Sequence, residues 1–258
     1  MADEAVWESL LALRHRGGTA PVQRSEEPPE VAALLELYLP FAQVPPGRRF
    51  AVAHIGQSLD GRIATSGGAS RWVTGEADLR HTHRMRALAD AVVVGAGTVH
   101  HDDPQLTVRH CRGGHPVRVV IDAERRLDAS HRVFQDAASP TLLLAAADRV
   151  RGRERLGQAE VVGLPRGANG IAPAAIAAVL AERGLSFLFI EGGGITISRF
   201  LAAGALDRLQ ITVAPILLGS GKPSLILPDI EAPQAALRPR LRRFTLGQDL
   251  LYECIFSD

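Results

Sequence analysis

The chain has 258 residues, of which 46% are hydrophobic and 22% charged, and its formal net charge is +1. This profile is typical of a globular protein and is long enough for one large domain or two small ones. The near-zero charge gives no general argument for nucleic acid or a membrane surface as a partner, so any recognition of phosphate must be local.

Cysteines and terminal patterns exclude further classes of protein. Only Cys111 and Cys254 are present, and no CxxC pair occurs, so neither a zinc ribbon nor a disulfide framework is indicated. The N-terminus lacks the basic flank and apolar core of a signal peptide, and no apolar run approaches the length of a membrane span. We therefore expect a cytoplasmic protein without a membrane partner.

Residues 1–48 are predicted to form a helical extension with a linker. Two groups of apolar residues have helical spacing, namely Val6, Trp7, Leu10, Leu11 and Leu13, then Val31, Leu34, Leu35 and Leu37. The residues between them are polar and rich in glycine and proline, which is typical of a linker. We expect two helices that pack on the main body or on a partner subunit, without a catalytic role.

From residue 49 onwards, short apolar runs alternate with helical patterns. Strands are predicted at 50–55, 91–94, 117–121, 141–145, 161–164, 187–191 and 206–213, and a hairpin about Gly247 joins strands at 240–246 and 250–256. Helices are predicted from Thr74, as a cap, to before Asp90, and over residues 172–183. This order predicts an α/β fold with a mainly parallel central sheet flanked by helices, followed by a C-terminal antiparallel hairpin.

The segment 187–201 combines a buried strand, a glycine turn and a helix. The apolar run ends at Glu191, and Gly192, Gly193 and Gly194 follow directly. A glycine turn at a helix N-terminus offers free N–H groups and the positive end of the helix dipole, which suit phosphate. The alternative is a tight strand–helix connection in which glycine is needed only because a side chain would not fit. The residues of this segment alone leave both interpretations open.

Polar and glycine residues follow several predicted strands, at 56–60, 95–98, Asp122 and 191–194. Ligands of such sheets bind beyond the carboxyl ends of the strands. The sequence therefore predicts one cleft with two glycine-rich helix N-termini facing it, suited to a phosphorylated cofactor or substrate.

Other chemistries find less support. The clusters His81–His83 and 100–103 contain metal-ligand types, but neighbouring helix residues diverge and the second cluster is expected on a loop, so we predict no metal site. The Gly-x-Ser-x-Gly elbow of hydrolases is absent, as is GxGxxG, and a P-loop is excluded because Pro223 follows Lys222.

Several motifs, taken together in order and spacing, resemble one family. They occur at 58–64, 70–72, 86, 94–99, 102–104, 106–109, 119–122, 191–193 and 214–219. The set is similar to the reductase domain at the C-terminus of bacterial bifunctional riboflavin-biosynthesis deaminase/reductases, and the likeness covers residues 49–258. The resemblance implies a dihydrofolate-reductase-like fold, NADPH as cofactor, and reduction of the ribose of 5-amino-6-(5-phosphoribosylamino)uracil to a ribityl chain. Relatives of this type suggest a homodimer.

The resemblance also implies roles for individual residues. The NADPH site would be lined by Gly56, Trp72, Thr98, Asp102, Gly193, Gly194, Ile195, Thr196 and Ser198. The phosphorylated substrate would be contacted by Ser70, Arg86, Leu106, Arg109 and Glu191. Two arginines suit a ribose phosphate. Hydride transfer to ribose C1′ needs a proton donor, for which Asp60 and Glu191 are candidates by residue type, with water as an alternative.

Two departures from the family pattern matter. The first 48 residues lack the zinc-deaminase signature, so we expect no deamination. Ala123 follows Asp122 where a small hydroxyl residue would be expected near the cofactor. A reductase of another pyrimidine or pteridine, such as dihydrofolate, and a nucleotide-binding protein without turnover stay open as alternatives.

Overall fold

The computed structural model describes residues 2–16, 28–70 and 72–257. The helices are α1 (Ala2–Arg16), α2 (Pro29–Ala42), α3 (Glu76–Leu88), α4 (Ala96–Asp102), α5 (Arg132–Gln135), α6 (Pro173–Ala181) and α7 (Gly194–Ala202). The strands are β1 (Phe50–Ser58), β2 (Arg62–Ala64), β3 (Ala91–Gly95), β4 (Val117–Ile121), β5 (Thr141–Ala146), β6 (Glu154–Leu156), β7 (Ala159–Leu164), β8 (Arg166–Gly167), β9 (Gly170–Ile171), β10 (Phe187–Glu191), β11 (Arg208–Ala214), β12 (Lys222–Pro223), β13 (Arg240–Leu246) and β14 (Asp249–Ile255).

One ten-stranded sheet forms the centre of the molecule, with strand order β13-β14-β11-β1-β10-β3-β4-β5-β7-β6. The seven strands from β11 to β7 run parallel, while β14 and β6 pair antiparallel to their neighbours. The hairpin of β13 and β14 turns at Gly247, as the sequence predicts. The predicted fold class, a mainly parallel sheet flanked by helices with a C-terminal antiparallel hairpin, is confirmed.

Alternate residues of the buried strands pack into two hydrophobic cores, one on each face of the sheet. On β1, Phe50 and Val52 point to the first core, which also contains residues of α1, α2 and α3. Ala51 and Ala53 point to the second core, together with residues of α6 and α7. The same alternation places His54 on the face that α3 covers.

The two N-terminal helices pack directly on the first core. Trp7 is 2% exposed, and its Nε1 donates a hydrogen bond to the carbonyl of Arg112 at 2.8 Å. Arg14 Nη2 lies 2.6 Å from Asp90 Oδ1, and Tyr38 OH lies 2.8 Å from His81 Nδ1. The expected packing of these helices on the main body is therefore observed. The predicted linker at 17–27 lies outside the described residues, and the division of the chain at residue 48 stays a prediction.

Local structure differs from the sequence-based expectation at the ends of α3 and α4. Gly75, not Thr74, is the cap residue of α3, and no side chain caps the helix among the described residues. The N–H of Gly75 donates to Asp249 Oδ2 at 2.7 Å, so a carboxylate from a distant strand fixes the start of the helix. The prediction that the second histidine cluster, at 100–103, lies on a loop is wrong. Helix α4 continues through Asp102 and ends only where Asp103 adopts a left-handed conformation with φ +40°. Local residue type predicts neither feature.

No helix in the described part of the chain is long and apolar enough to cross a membrane.

Removal of a side chain from α1 tests whether this helix contributes to the core. Leu10 is fully buried, so Leu10→Ala is expected to lower the free energy of unfolding by about 2–5 kcal/mol in urea denaturation. Ser9→Ala, on the exposed side of the same helix, is the matched control and is expected to change it by less than about 0.5 kcal/mol. Equal, small effects of both substitutions would contradict the packing of α1 in the core.

Candidate active site

A cleft of about 690 Å³ opens at the carboxyl ends of the parallel strands. Its walls contain Gly56 near the end of β1, Gly95 at the end of β3, Asp122 after β4 and Glu191 at the end of β10. These are the strand ends whose convergence the sequence predicts. The topology brings them together because all four strands run in the same direction.

The glycine turn after β10 forms one wall of this cleft. Gly192 has φ +72°, and a Cβ atom there would lie 2.7 Å from Thr98 Cγ2, so both its conformation and its surroundings require glycine. Thr98 Oγ1 accepts a hydrogen bond from the N–H of Gly193 at 2.9 Å. The turn from β10 is therefore fixed by a side chain from α4.

Helix α7 begins directly after this turn, and its first residues, Gly194, Ile195 and Thr196, line the cleft. The first N–H groups of a helix have no acceptor within the helix, so they are available to an anion. Helix α4 also begins at the cleft, but it has only seven residues. Of the two helix N-termini, that of α7 is therefore better suited to an anion.

The segment after β12 packs over the start of α7. A Cβ atom on Gly194 would collide with the carbonyl oxygen of Ser224, so the two backbones touch closely. Ser198 Oγ accepts a hydrogen bond from the N–H of Ile226 at 2.8 Å. Ser198 therefore holds this covering segment and lies outside the cleft lining.

A buried ion pair joins α3 to the end of β10. Arg86 Nε donates to Glu191 Oε1 at 2.5 Å, and Arg86 Nη2 donates to Glu191 Oε2 at 2.7 Å. Both residues are buried, with 8% and 7% exposure, and the pair is bidentate. Glu191 lines the cleft, whereas Arg86 lies behind it. Each carboxylate oxygen of Glu191 therefore accepts one hydrogen bond from Arg86 and keeps a second lone pair for another donor.

The loop after α4 is tied to the same pair. Arg86 Nη1 donates to the carbonyl of Thr107 at 3.0 Å, and Arg109 Nη1 donates to Thr107 Oγ1 at 2.7 Å. Leu106 is 1% exposed and has φ +57°, while Arg109 is exposed. Neither Leu106 nor Arg109 is part of the cleft lining.

The rim of the cleft contains three of the predicted residues. Ser70 Oγ donates to Asp102 Oδ1 at 2.9 Å, which joins the loop after β2 to the end of α4. Trp72 lies outside the cleft lining, is 80% exposed and has φ +68°, a conformation that a bulky residue rarely adopts.

Asp60, a predicted proton donor, lies outside the cleft lining. Its carboxylate accepts hydrogen bonds from Ser58 Oγ at 2.5 Å and from the N–H groups of Leu218 and Gly219 at 3.0 and 2.7 Å. The bond from Ser58, followed by that from Leu218, lowers the pKa of Asp60 to about 2. An ionised carboxylate with these bonds suits the fixing of a turn better than the donation of a proton.

Two further cleft residues were not predicted. His54 and Asp78 are 6% and 3% exposed, and both belong to the lining. His54 Nε2 lies 3.0 Å from Asp78 Oδ1 and 3.2 Å from Thr212 Oγ1, which itself donates to Asp78 Oδ1 at 2.6 Å. The available sequence signal is that His54 is the one polar residue in an otherwise apolar strand segment at 50–55.

The polar cluster continues away from the cleft through His81. Its Nδ1 contacts Tyr38 OH at 2.8 Å, and its Nε2 contacts Gln210 Oε1 at 2.8 Å. Burial, reinforced by the charge on His54, lowers the pKa of His81 to about 3. His81 is thus a neutral link between the cleft residues and α2.

Within residues 2–16, 28–70 and 72–257, no group of three or more His, Cys, Asp or Glu side chains is arranged to hold a metal ion. His81 is held by Tyr38 and Gln210, and His83 Nδ1 accepts the N–H of Arg109 at 2.9 Å. The two histidines therefore serve different partners.

Comparison with known proteins assigns the family. The model of the RibD C-terminal domain matches residues 49–250, which include every residue of the cleft lining. The chain belongs to the RibD C-terminal domain family. The resemblance seen in the sequence motifs is thereby confirmed.

Two curated relatives illustrate the extent of the match. The 2,5-diamino-6-ribosylamino-4(3H)-pyrimidinone 5′-phosphate reductase of Methanothermobacter thermautotrophicus is 35% identical over 215 residues, which is 80% of this chain and 97% of that protein. The riboflavin biosynthesis protein RibD of Bacillus amyloliquefaciens is 34% identical over 196 residues, which is 75% of this chain. The chain spans about half (52%) of the length of that RibD.

Solved structures agree with the fold. The Thermotoga maritima diaminohydroxyphosphoribosylaminopyrimidine deaminase/5-amino-6-(5-phosphoribosylamino)uracil reductase is 28% identical, with a TM-score of 0.66 over 88% of this chain and 61% of that chain. The riboflavin biosynthesis reductase Rib7 of Saccharomyces cerevisiae has a TM-score of 0.68 at 20% identity, covering 86% of this chain and 96% of that chain. The second likeness concerns the fold alone.

The residues that the RibD C-terminal domain resemblance points to fall into two groups. The cleft lining brings together Gly56, Ser70, Thr98, Asp102, Glu191, Gly193, Gly194, Ile195 and Thr196. The residues outside the lining are Asp60, Trp72, Arg86, Leu106, Arg109 and Ser198. The first group covers most of the predicted cofactor site, whereas most of the predicted substrate contacts stand behind or beside the cleft wall.

Loss of the Glu191 carboxylate would leave the Arg86 charge buried without a partner. We expect Glu191→Ala to lower the free energy of unfolding by about 3–5 kcal/mol in urea denaturation. The exposed pair of Arg112 and Glu4 is the control, and Glu4→Ala is expected to have little effect.

A double substitution separates charge from cavity effects. Arg86→Met combined with Glu191→Leu is expected to recover much of the loss, because no buried charge then lacks a partner. If the double variant were as unstable as Glu191→Ala, the cost would come from lost packing rather than from the ion pair.

Proposed function

We propose that this chain is an NADPH-dependent reductase that converts the ribose of 5-amino-6-(5-phosphoribosylamino)uracil to the ribityl chain. The observation that carries the proposal is that all residues lining the cleft lie within the range matched by the RibD C-terminal domain. The name of the Methanothermobacter relative, which this chain matches over 97% of its length, supports reductase activity. The match supports an oxidoreductase, and we propose in addition that the cofactor is NADPH and that the substrate is the phosphoribosylaminouracil.

The wall formed by the glycine turn and α7 fits the phosphates of such a cofactor. The first residues of α7 line the cleft together with the cationic residues Arg126, Arg199 and Lys222, and the first N–H groups of a helix have no acceptor within it. Gly193, Gly194, Ile195 and Thr196 would surround the diphosphate. The N–H groups of Gly194 and Ile195 would donate to it, because those of Gly193 and Thr196 donate to Thr98 Oγ1 and to the carbonyl of Gly193. When bound, the cofactor would supply a hydride.

The other cofactor residues proposed from the family pattern surround this wall. Gly56, Thr98 and Asp102 line the same cleft. Trp72 on the exposed rim and Ser198 beneath the covering segment remain proposals as cofactor residues. Thr98 fixes the turn from behind through the N–H of Gly193.

The substrate is proposed to lie near Glu191 and Ser70, with Leu106 in the wall behind. Arg86 is fully engaged with Glu191 and Thr107, so we assign it the positioning of Glu191. Arg109 is exposed, and among the described residues its guanidinium is bonded to the hydroxyl of Thr107 alone, so it is the better candidate for a contact with the substrate phosphate. Glu191 would accept a hydrogen bond from a sugar hydroxyl or ring N–H.

A second candidate substrate is 2,5-diamino-6-ribosylamino-4(3H)-pyrimidinone 5′-phosphate, which differs by an amino group in place of an oxo group at C2. The name of the Methanothermobacter reductase favours it. NADPH oxidation with each of the two compounds, and with dihydrofolate, separates the candidates. Binding of NADPH without oxidation of any of them would instead support a non-catalytic nucleotide-binding protein. The cytoplasmic location and the homodimer stay predictions.

Arg109→Ala tests the proposed phosphate contact. A charge-assisted hydrogen bond to phosphate contributes roughly 1.5–3 kcal/mol, so KM for the phosphorylated substrate is expected to rise roughly 10- to 100-fold in steady-state kinetics. The dissociation constant of NADPH should stay within about twofold. Arg112→Ala, on the exposed α1 contact, is the control. Equal weakening of substrate and NADPH binding would contradict the assigned role.

Thr98→Val tests the fixing of the glycine turn. The variant loses the hydroxyl that accepts the Gly193 N–H, which is worth about 1 kcal/mol, so the dissociation constant of NADPH is expected to rise roughly fivefold in a fluorescence titration. KM for the substrate is expected to change less. An unchanged NADPH dissociation constant would separate the turn from the cofactor site.

A further inference from the structure

We infer that His54 is the proton donor of the proposed reduction and that Asp78 is the residue that positions it. The inference rests on the proposed function and assigns two residues that the sequence motifs did not include. It depends on three observations: His54 lies in the cleft, its ring has a fixed orientation, and the other candidate acids are either already hydrogen-bonded or lie away from Glu191.

The reaction needs one proton as well as one hydride. Opening of the ribose ring breaks the C1′–O4′ bond, the nitrogen lone pair forms a C1′=N iminium, and O4′ takes a proton to become a hydroxyl. A bound NADPH would supply the hydride that C1′ takes up, the C=N electron pair would return to nitrogen, and NADP⁺ would be left. The balance is therefore substrate plus NADPH plus one proton, and the proton goes to O4′.

His54 lies beside the proposed substrate position. In the parallel register of β1 and β10, His54 is the direct partner of Glu191, and both belong to the cleft lining. Neighbouring strands lie about 4.8 Å apart, so a ligand bound at Glu191 is within reach of the His54 ring. His101, the other histidine of the lining, is exposed on α4 and its Nδ1 is bonded to the carbonyl of Gly97.

The orientation of the ring is fixed from one side. Both hydrogen bonds that the described part of the chain gives His54 involve Nε2, with Asp78 Oδ1 and Thr212 Oγ1 as partners. An Nε2–H that donates to Asp78 leaves Nδ1 as the nitrogen that gains and releases a proton. The arrangement is that of a histidine oriented by a carboxylate, with its second nitrogen available to a ligand.

Charged groups from two neighbouring elements act on His54. Asp78, His81 and Arg86 face it from α3, and Glu191 faces it from β10. Burial disfavours the imidazolium and Arg86 opposes it, but the charge and hydrogen bond of Asp78, aided by Glu191, raise the pKa of His54 above its usual value. Burial and His54 together keep His81 neutral, so it adds no competing charge.

The acidic candidates are less suited to give the proton. Asp60 lies outside the cleft lining, and both oxygens of Glu191 accept hydrogen bonds from Arg86. Asp122 follows β4, which β3 separates from β10, so it is not adjacent to Glu191. Asp102 Oδ1 accepts the hydroxyl of Ser70. His54 is the buried donor that remains next to Glu191.

The test is the pH dependence of kcat/KM with the proposed substrate and NADPH. A donor must be protonated, so activity of the unaltered protein is expected to be full at low pH and to fall as pH rises through the His54 pKa, above the ordinary value of about 6.5. His54→Gln is expected to lower kcat roughly 100-fold or more and to abolish this alkaline fall. His100→Gln, an exposed histidine outside the cleft lining, is the matched control and is expected to keep both.

Asp78→Asn separates positioning from mere folding. Without the carboxylate charge, the imidazolium loses its main support, so the alkaline fall is expected to move to lower pH by about one unit or more. Binding of NADPH by each variant, measured by fluorescence, and histidine ¹⁵N NMR of the unaltered protein report folding and the His54 titration without turnover.

The outcomes are distinct. No turnover of either pyrimidine substrate by the unaltered protein would overturn the proposed function. Turnover with a pH profile that His54→Gln leaves unchanged would overturn the inference and keep the function. A His54 ring that is neutral by NMR throughout pH 6–8 would also overturn it, even if His54→Gln did not fold.

Discussion

The cleft depends on the way that α3 presents charged groups to the carboxyl ends of three strands. Arg86 meets Glu191 on β10, Asp78 meets His54 on β1, and Thr212 on β11 joins the second pair. An unpaired charge in such a buried place costs several kcal/mol, so a shift of the helix along the sheet would be unfavourable at both positions at once. The pairs therefore fix the helix to the sheet, and the helix in turn fixes the wall from which the cleft is built.

Hydrogen bonds to the backbone connect this wall to two neighbouring parts of the site, namely the loop after α4 and the glycine turn after β10. Arg86 reaches the carbonyl of Thr107 and so holds the loop that carries Arg109. Glu191 is followed at once by the glycine turn, whose Gly193 N–H is held by Thr98. The substrate side and the proposed phosphate side are thus joined within a few residues of one ion pair. This proximity suits a reaction in which a cofactor and a sugar must meet at one atom.

The sequence predicts features that depend on neighbouring residues better than features that depend on distant ones. The strand, glycine turn and helix at 187–202 and the hairpin about Gly247 follow from local patterns, and the structure has both. The pairing of Arg86 with Glu191 joins residues 105 positions apart, and the carboxylate that accepts the N–H of Gly75, the cap residue of α3, belongs to Asp249, 174 positions away. The sequence does not predict the role of His54, because a single polar residue in a buried strand has no characteristic spacing. The proposed site roles came from the family motifs, whereas the residues alone left phosphate binding at the glycine turn open.

The contact of Tyr38 with His81 gives the N-terminal helices a part in the electrostatics of the cleft. Tyr38 lies outside the range matched by the RibD C-terminal domain, yet its hydroxyl bonds the ring of His81, whose centroid is 5.2 Å from that of His54. Burial, reinforced by the charge on His54, lowers the pKa of His81 and keeps this ring neutral. A helix outside the matched range therefore contributes to the surroundings of the cleft histidines, so a shortened chain that starts at residue 49 would lack one of the contacts that hold them.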